Sequence, residues 1–317
     1  MVKSTANFID SQKSVLQRLE KPEWTFNDIQ VFVKRDDLLH PEISGNKWRK
    51  LKYNIQQAIH LHAEGILTFG GAYSNHLVAT AAAAKEFGLK SIGFVRGEEL
   101  NSNSNETLKK CTELGMELQF LSREMYALHD DKMFVDELKL ENPCFYAVPE
   151  GGGNYYGIIG CQEIWKEIPK DVDHVFLAQG TAATSCGVLL GMPENCQLHV
   201  VPALKGFHSI ETMKTLFYGF FMEDDMLEEL FQKVTVHADF HFGGYAKYTE
   251  ELLQFIEETY KIHELPLDPI YTAKAFFAMN EELKKPMYHG KKIVFIHTGG
   301  LQGCQAIEKK ENRSFFD

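Results

Sequence analysis

Short apolar runs alternate with amphipathic stripes along most of the chain. Residues 66–69, 91–95, 117–121 and 144–148 read as buried strands. Each is followed by apolar residues at three- and four-residue steps, giving helices that run through Phe87, to about Leu114, to about Lys139 and through Ile168. Successive strand-then-helix units require parallel strands with right-handed crossovers, so the first half predicts a doubly wound sheet. Gln30–Lys34 reads as a short strand ahead of this series. Beyond it, the pattern predicts a strand over 174–178, a helix over 184–192, a strand over 198–202, helices over 248–260 and 272–283, and a last buried strand over 292–297. Residues 206–236 read as helical, with Glu223, Asp224, Asp225, Glu228 and Glu229 on a solvated face. No repeat, low-complexity tract or Ser- or Pro-rich linker interrupts the pattern.

The 317 residues are long enough for two α/β domains, and apolar and charged fractions of 44% and 24% are ordinary for a soluble globular protein. A net charge of −11 argues against sequence-independent nucleic-acid binding, which needs a basic footprint, while leaving room for a local anion site. The six cysteines form no C-x-x-C pair, which fits a reduced cytoplasmic pool. The first residues lack an apolar signal region and no apolar run approaches the ~20 residues that span a bilayer, so neither secretion nor membrane insertion is expected.

Ligands of open parallel sheets bind beyond the carboxyl ends of the strands, where loops enter helices. The residues just past the apolar runs are Gly- or hydroxyl-rich: 70–76, 151–154, 179–184 and 298–300. Gly180-Thr-Ala-Ala-Thr184 offers backbone donors suited to a phosphate, with a plain tight turn as the alternative. Neither G-x-x-x-x-G-K-[ST] nor a strand-following G-x-G-x-x-G occurs, so the phosphate belongs to neither a P-loop nucleotide nor a dinucleotide. Ser74 and Asn75 sit where a helix cap would be, and exposed N–H groups there can also hold a carboxylate. Ser44-Gly-Asn46 likewise offers cap chemistry before the stripe Trp48, Leu51, Ile55, Ala58 and Leu61. Lys47 therefore stands at a helix N-terminus, where the partial positive charge favours the neutral, nucleophilic amine. Any one lysine is ordinarily just solvated, but beside a phosphate cradle this one suggests pyridoxal phosphate held as a lysine Schiff base. His237, Asp239 and His241 alternate and would share one face of a strand, a metal trio by ligand type; no metal is expected, because the segment runs into the Gly243-Gly-Tyr245 loop.

At this point the motifs become specific. Lys34-Arg-Asp-Asp-Leu38, Ser44-Gly-Asn-Lys-Trp-Arg-Lys-Leu51, Thr68-Phe-Gly-Gly-Ala-Tyr-Ser-Asn-His76, Leu267-Asp-Pro-Ile-Tyr-Thr-Ala-Lys274 and His297-Thr-Gly-Gly300 resemble, in order, the motif series of the 1-aminocyclopropane-1-carboxylate deaminase and D-cysteine desulfhydrase family. The series covers residues 30–303. It implies the tryptophan-synthase-β-like, fold type II α/β architecture: two domains, each an open, mostly parallel twisted sheet flanked by helices. The larger, cofactor-binding domain is expected over 1–52 plus 158–317, the smaller over 53–157, with the active site between them.

The resemblance implies that Lys47 carries pyridoxal 5′-phosphate and that Asn75 bonds the 3′-oxygen of its ring. Gly180, Thr181, Ala182, Ala183 and Thr184 match the phosphate loop, with Thr298, or secondly Thr272, at the pyridine nitrogen. Ser74 and Tyr271 join Lys47 as catalytic groups, and Ser74, Asn75, His76 and Tyr245 bind a small amino acid. Family members are commonly dimers. Two departures matter. Ala182 and Ala183 stand where glycines are usual, so the backbone must avoid positive φ or accept strain. Thr272 stands where ring-opening deaminases place a glutamate. A carboxylate keeps the ring nitrogen protonated and the cofactor a strong electron sink; a hydroxyl does not, and loss of a thiolate from Cβ is then the easier reaction. The expected activity is therefore D-cysteine desulfhydrase-like elimination to pyruvate, ammonia and sulfide. The alternatives are cyclopropane opening to 2-oxobutanoate and ammonia, and a non-catalytic binder of pyridoxal phosphate or another phosphometabolite.

Overall fold

The computed structural model describes Ile9 and residues 11–43, 45–219 and 223–317. Ser44, one of the cap candidates, lies outside them. The strands are β1 Leu16–Leu19, β2 Gln30–Lys34, β3 Gly65–Gly70, β4 Lys90–Arg96, β5 Met116–Leu121, β6 Phe145–Val148, β7 His174–Gln179, β8 Gln197–Pro202, β9 Val234–Val236 and β10 Lys292–Ile296. They form a six-stranded sheet ordered β1-β2-β10-β7-β8-β9 and a four-stranded sheet ordered β5-β4-β3-β6. Every pairing is parallel except β1 with β2. Central strands β3 and β7 are buried along their whole length, as strands covered by helices on both faces must be. The first-half units expected from the sequence build the smaller sheet, while β2 crosses to the larger one.

Two strands escaped the periodicity. β1 is four residues long and β9 three, too short for alternation to register, and both lie at sheet edges. The expected helical stretch 206–236 accordingly divides into the helices Ser209–Tyr218 and Asp224–Phe231 and then β9. The acidic residues of the second helix are exposed, as the pattern suggests.

Three helices meet almost backbone to backbone behind the carboxyl ends of the larger sheet: Asn46–His60, Tyr155–Gln162 and Ala183–Gly191. A Cβ on Gly160 would stand 1.8 Å from the Arg49 carbonyl oxygen, and one on Gly187 2.4 Å from that of Ile158. The Lys34-Arg-Asp-Asp motif fixes this layer. Arg49 grips Asp36 with two bonds of 2.6 and 2.7 Å, and the Asp36 carbonyl accepts the Gly45 N–H at 3.1 Å, setting where the Asn46 helix begins.

Adjacent strands of the large sheet also align a buried row of imidazoles. His174 Nδ1 lies 3.0 Å from His199 Nε2, His199 Nδ1 lies 2.9 Å from His237 Nε2, and His237 Nδ1 faces Glu282 Oε1 at 3.6 Å. Burial holds each ring below the ordinary histidine range, His199 at about 2, where its two neighbours add repulsion. Because the folded pKa values are depressed, the unfolded chain binds more protons below about pH 6.5, and stability falls as pH falls. Each ring contributes about 1.4 kcal/mol of loss per pH unit there, so the three together set an upper bound of about 4 kcal/mol between pH 7.5 and 5.5. Denaturant unfolding at the two pH values checks this, and equal stabilities would contradict it.

His237, Asp239 and His241 do not share a strand face. Ala238–His241 is a 3-10 turn rather than a strand, His237 joins the imidazole row, and His241 Nδ1 accepts the Gly243 N–H at 2.9 Å. All six cysteines are free, five of them buried. Among the described residues no helix is long and apolar enough to cross a membrane.

Candidate active site

Lys47 is the second residue of the Asn46–His60 helix. The residue as a whole is only partly accessible, and burial together with repulsion from the Lys50 ammonium brings its amine down to about 7. Its Nζ donates to Asn46 Oδ1 at 3.0 Å, and Asn46 Nδ2 donates to Thr184 Oγ1 at 2.8 Å. The lysine is thereby tied through one amide side chain to the 180–184 loop.

That loop leaves β7 and enters the Ala183–Gly191 helix; the Ala183 N–H already donates to the Thr181 carbonyl at 2.8 Å, which leaves the N–H groups of Thr184 and Ser185 available to an anion. Ala182 adopts the left-handed conformation, φ 59° and ψ −16°, whereas Ala183 is the first helical residue. Of the two alanines, one therefore bears the strain that glycine would avoid, about 1–2 kcal/mol. Lys50 Nζ stands 3.3 Å from Thr181 Oγ1; the side chain is buried and has no carboxylate partner among the described residues. Gly151 closes the other side, since a Cβ there would lie 2.6 Å from Thr181 Cγ2. Buried Gln179 and Ser185 carry side-chain polar atoms with no partner beside the same loop. A buried, uncompensated ammonium, two threonine hydroxyls and a helix start make a donor set that fits a phosphate.

Ser74 caps the Asn75–Glu86 helix by accepting the Leu77 N–H at 3.3 Å. Asn75 Nδ2 and Asp268 Oδ2 both border Gly300, 3.4 and 3.2 Å from where its Cβ would be. The backbone of Thr298 meets the lysine segment directly: its carbonyl accepts the Asn46 N–H at 3.1 Å. Gly45 is confined there by φ 63° and ψ −142°, and an added Cβ would stand 1.9 Å from the Thr298 oxygen. Gly45→Ala is therefore expected to cost about 3 kcal/mol or more of stability, because backbone must move. A denaturant midpoint unchanged from the parent protein would contradict that.

Tyr271 N-caps the Thr272–Glu282 helix, with its ring against Gly180, 3.4 Å from where a Cβ would sit. Burial, then the neighbouring Tyr245, keeps its phenol protonated well above the usual range. The Tyr245 ring stands edge-on to it at 6.1 Å. Two expected site residues face inward. His76 is buried, with Nε2 2.9 Å from Thr68 Oγ1, and burial reinforced by Lys47 and Lys50 holds it neutral. Thr272 is fully buried and donates to Asp268 Oδ2 at 2.6 Å. Asp268 is saturated in turn, accepting the N–H groups of Ile270, Tyr271 and Thr272 as well. Sequence reasoning missed Asp268, Asn46 and Lys50 as parts of this site. For Lys50 a signal existed: spacing of three places it on the helix face of Lys47.

The architecture is that of a solved structure described as a homologue of 1-aminocyclopropane-1-carboxylate deaminase, with a TM-score of 0.76 at 27% identity over 94% of this chain and 92% of the other. Two parallel-rich sheets, with a lysine and a phosphate-type loop at the start of neighbouring helices, thus define a fold type II α/β protein. Residues 16–299 match the pyridoxal-phosphate dependent enzyme family, and the chain belongs to it. Among its relatives, a putative 1-aminocyclopropane-1-carboxylate deaminase of Pyrococcus horikoshii is 32% identical over 86% of this chain and 85% of that protein. The bifunctional D-cysteine desulfhydrase/1-aminocyclopropane-1-carboxylate deaminase of Arabidopsis thaliana, a mitochondrial protein, is 32% identical over 87% of this chain and 74% of its own length.

Proposed function

We propose that this protein is a pyridoxal-phosphate-dependent lyase that eliminates the β-thiol of D-cysteine, giving pyruvate, ammonia and sulfide, with Lys47 as the cofactor lysine. The observation that carries the choice of reaction is the first turn of the Thr272 helix. Thr272 spends its hydroxyl hydrogen on Asp268, and every acceptor position of that carboxylate is engaged by the same turn. The turn thus offers the pyridine nitrogen no free acid, which suits expulsion of a thiolate of pKa ~8.5 better than opening of a carbon ring.

Lys50 apart, the roles given to the side chains are those the family resemblance implies, and their positions support them. Lys50, Thr181, Thr184 and the start of the Ala183 helix hold the phosphate, with Gly180 leaving room for the Tyr271 ring. Ser74 and the N–H groups around Asn75 receive the substrate carboxylate, and Asn75 Nδ2 bonds the 3′-oxygen of the cofactor. Thr298 takes the pyridine-nitrogen position. Pyridoxal phosphate, when bound, supplies the electron sink for charge developing at Cα. Lys47, with its amine near neutrality, accepts the α-proton at Nζ. Tyr271, held protonated, donates at Oη towards the departing sulfur.

The test is release of keto acid and sulfide from D-cysteine, L-cysteine and 1-aminocyclopropane-1-carboxylate by cofactor-loaded protein. D-Cysteine should be fastest. A rate with the cyclopropane amino acid equal to or above that with D-cysteine would overturn the choice of reaction. A change in the cofactor spectrum without keto acid from any of them would instead favour a binding protein.

A further inference from the structure

The loop that brings Tyr245 to Tyr271 is unusually constrained. Phe242, Gly243, Gly244 and Ala246 all have positive φ, at 50°, 93°, 118° and 54°. Two of these residues carry side chains that disfavour the region, so the loop needs outside support to persist. Within it, Gly244 N–H donates to the His241 carbonyl at 3.0 Å and Lys247 N–H to the Gly244 carbonyl at 3.1 Å.

Part of that support is the Phe242 ring, set edge-on to Phe277 at 5.2 Å, and its charged part comes from one lysine. Lys274, on the first turn of the Thr272–Glu282 helix, is 1% exposed, and its Nζ donates to the same two carbonyls, His241 at 2.9 Å and Gly244 at 2.8 Å. It makes no ion pair among the described residues, and burial brings its amine down to about 8. A methionine would fill the volume without the cost of burying an amine; only a donor can draw two carbonyls together. The helix that carries Lys274 also carries Tyr271 at its N-cap, whose ring meets Tyr245 edge-on. The loop and the catalytic tyrosine are thus referenced to one rigid element.

We propose that Lys274 is a positioning residue: it clamps the 241–246 loop to the Tyr271 helix, so that Tyr245 stands against Tyr271 as the wall that meets the substrate's side chain. This rests on the function proposed above. It assigns Lys274 to substrate fit, in contrast to Lys47, which is assigned to the chemistry.

The test is a double-mutant cycle on cofactor-loaded protein. Lys274→Met is expected to raise KM for D-cysteine about tenfold while kcat falls less than about threefold. In a Tyr245→Ala background the same substitution should change KM by less than about twofold, because the wall it positions is gone. Exchange of the 242–246 amide hydrogens should quicken about tenfold. If the methionine variant does not fold, Lys274→Leu, which likewise has no donor, carries the same comparison. An unchanged KM, a loss confined to kcat, or an equal loss in both backgrounds would overturn the proposal. Should the parent protein release keto acid from no amino acid, the proposed function fails. The clamp is then judged by exchange alone: tenfold faster exchange supports it and unchanged exchange overturns it.

Discussion

Replacing Lys47 by alanine is expected to abolish the visible absorbance of cofactor-loaded protein and to slow keto-acid formation from D-cysteine by ~10³-fold or more, a loss of about 4 kcal/mol of transition-state stabilisation. On the proposed function two roles would be lost together, covalent attachment and acceptance of the α-proton. The size of the effect follows from the surroundings of the amine: enclosed, beside Lys50 and at a helix start, it is poised near neutrality and bonded to Asn46 Oδ1. Folding should be little affected, since Lys47 makes no ion pair among the described residues and is only half-buried. A Lys47→Ala protein that keeps the band and more than a tenth of the rate would exclude this lysine.

Lys50→Met is expected to move two quantities in opposite directions. The buried ammonium has Thr181 as its hydrogen-bond partner, and burial pulls its pKa down, so in the absence of an anion the charge is a liability. Removing it should leave the cofactor-free protein as stable as before or stabilise it by about 1–2 kcal/mol. The same change removes a charge-assisted contact to the phosphate, worth about 1.5–3 kcal/mol, and should weaken pyridoxal phosphate binding between about tenfold and a hundredfold. Titration of the cofactor by absorbance and denaturant unfolding of the cofactor-free protein read the two effects separately. A residue that merely filled space would lose stability and leave affinity alone.

The periodicity of the chain was enough to read the central strands and most of the helices, because strands such as β3 and β7 are mostly apolar, buried along their length and bounded by glycine or charge. Edge strands β1 and β9 were not legible, being too short to alternate. The loops at the carboxyl edge could be collected from topology alone, and the structure brings Lys47, Asn75, the 180–184 loop, Tyr271 and Thr298 into one region. What sequence could not give were relations that depend on pairing and register. His174, His199 and His237 lie far apart in the chain and meet only because β7, β8 and β9 are neighbours. The saturation of Asp268 by the turn behind it, and the reach of Lys274 to carbonyls about thirty residues earlier, likewise depend on how the helix docks. The two alanines of the phosphate loop illustrate the remaining gap: local rules allowed either avoidance of positive φ or strain, and only the backbone of Ala182 decides for strain.

The central claim is that one lysine, Lys47, holds the cofactor. Borohydride reduction of cofactor-loaded protein, followed by mass mapping of its peptides, tests it most directly, because reduction makes the attachment permanent whatever the substrate proves to be. The account predicts the pyridoxyl group on the peptide that contains Lys47 and on its side chain. Attachment at Lys50 or Lys274, or no attachment to any peptide, would contradict it.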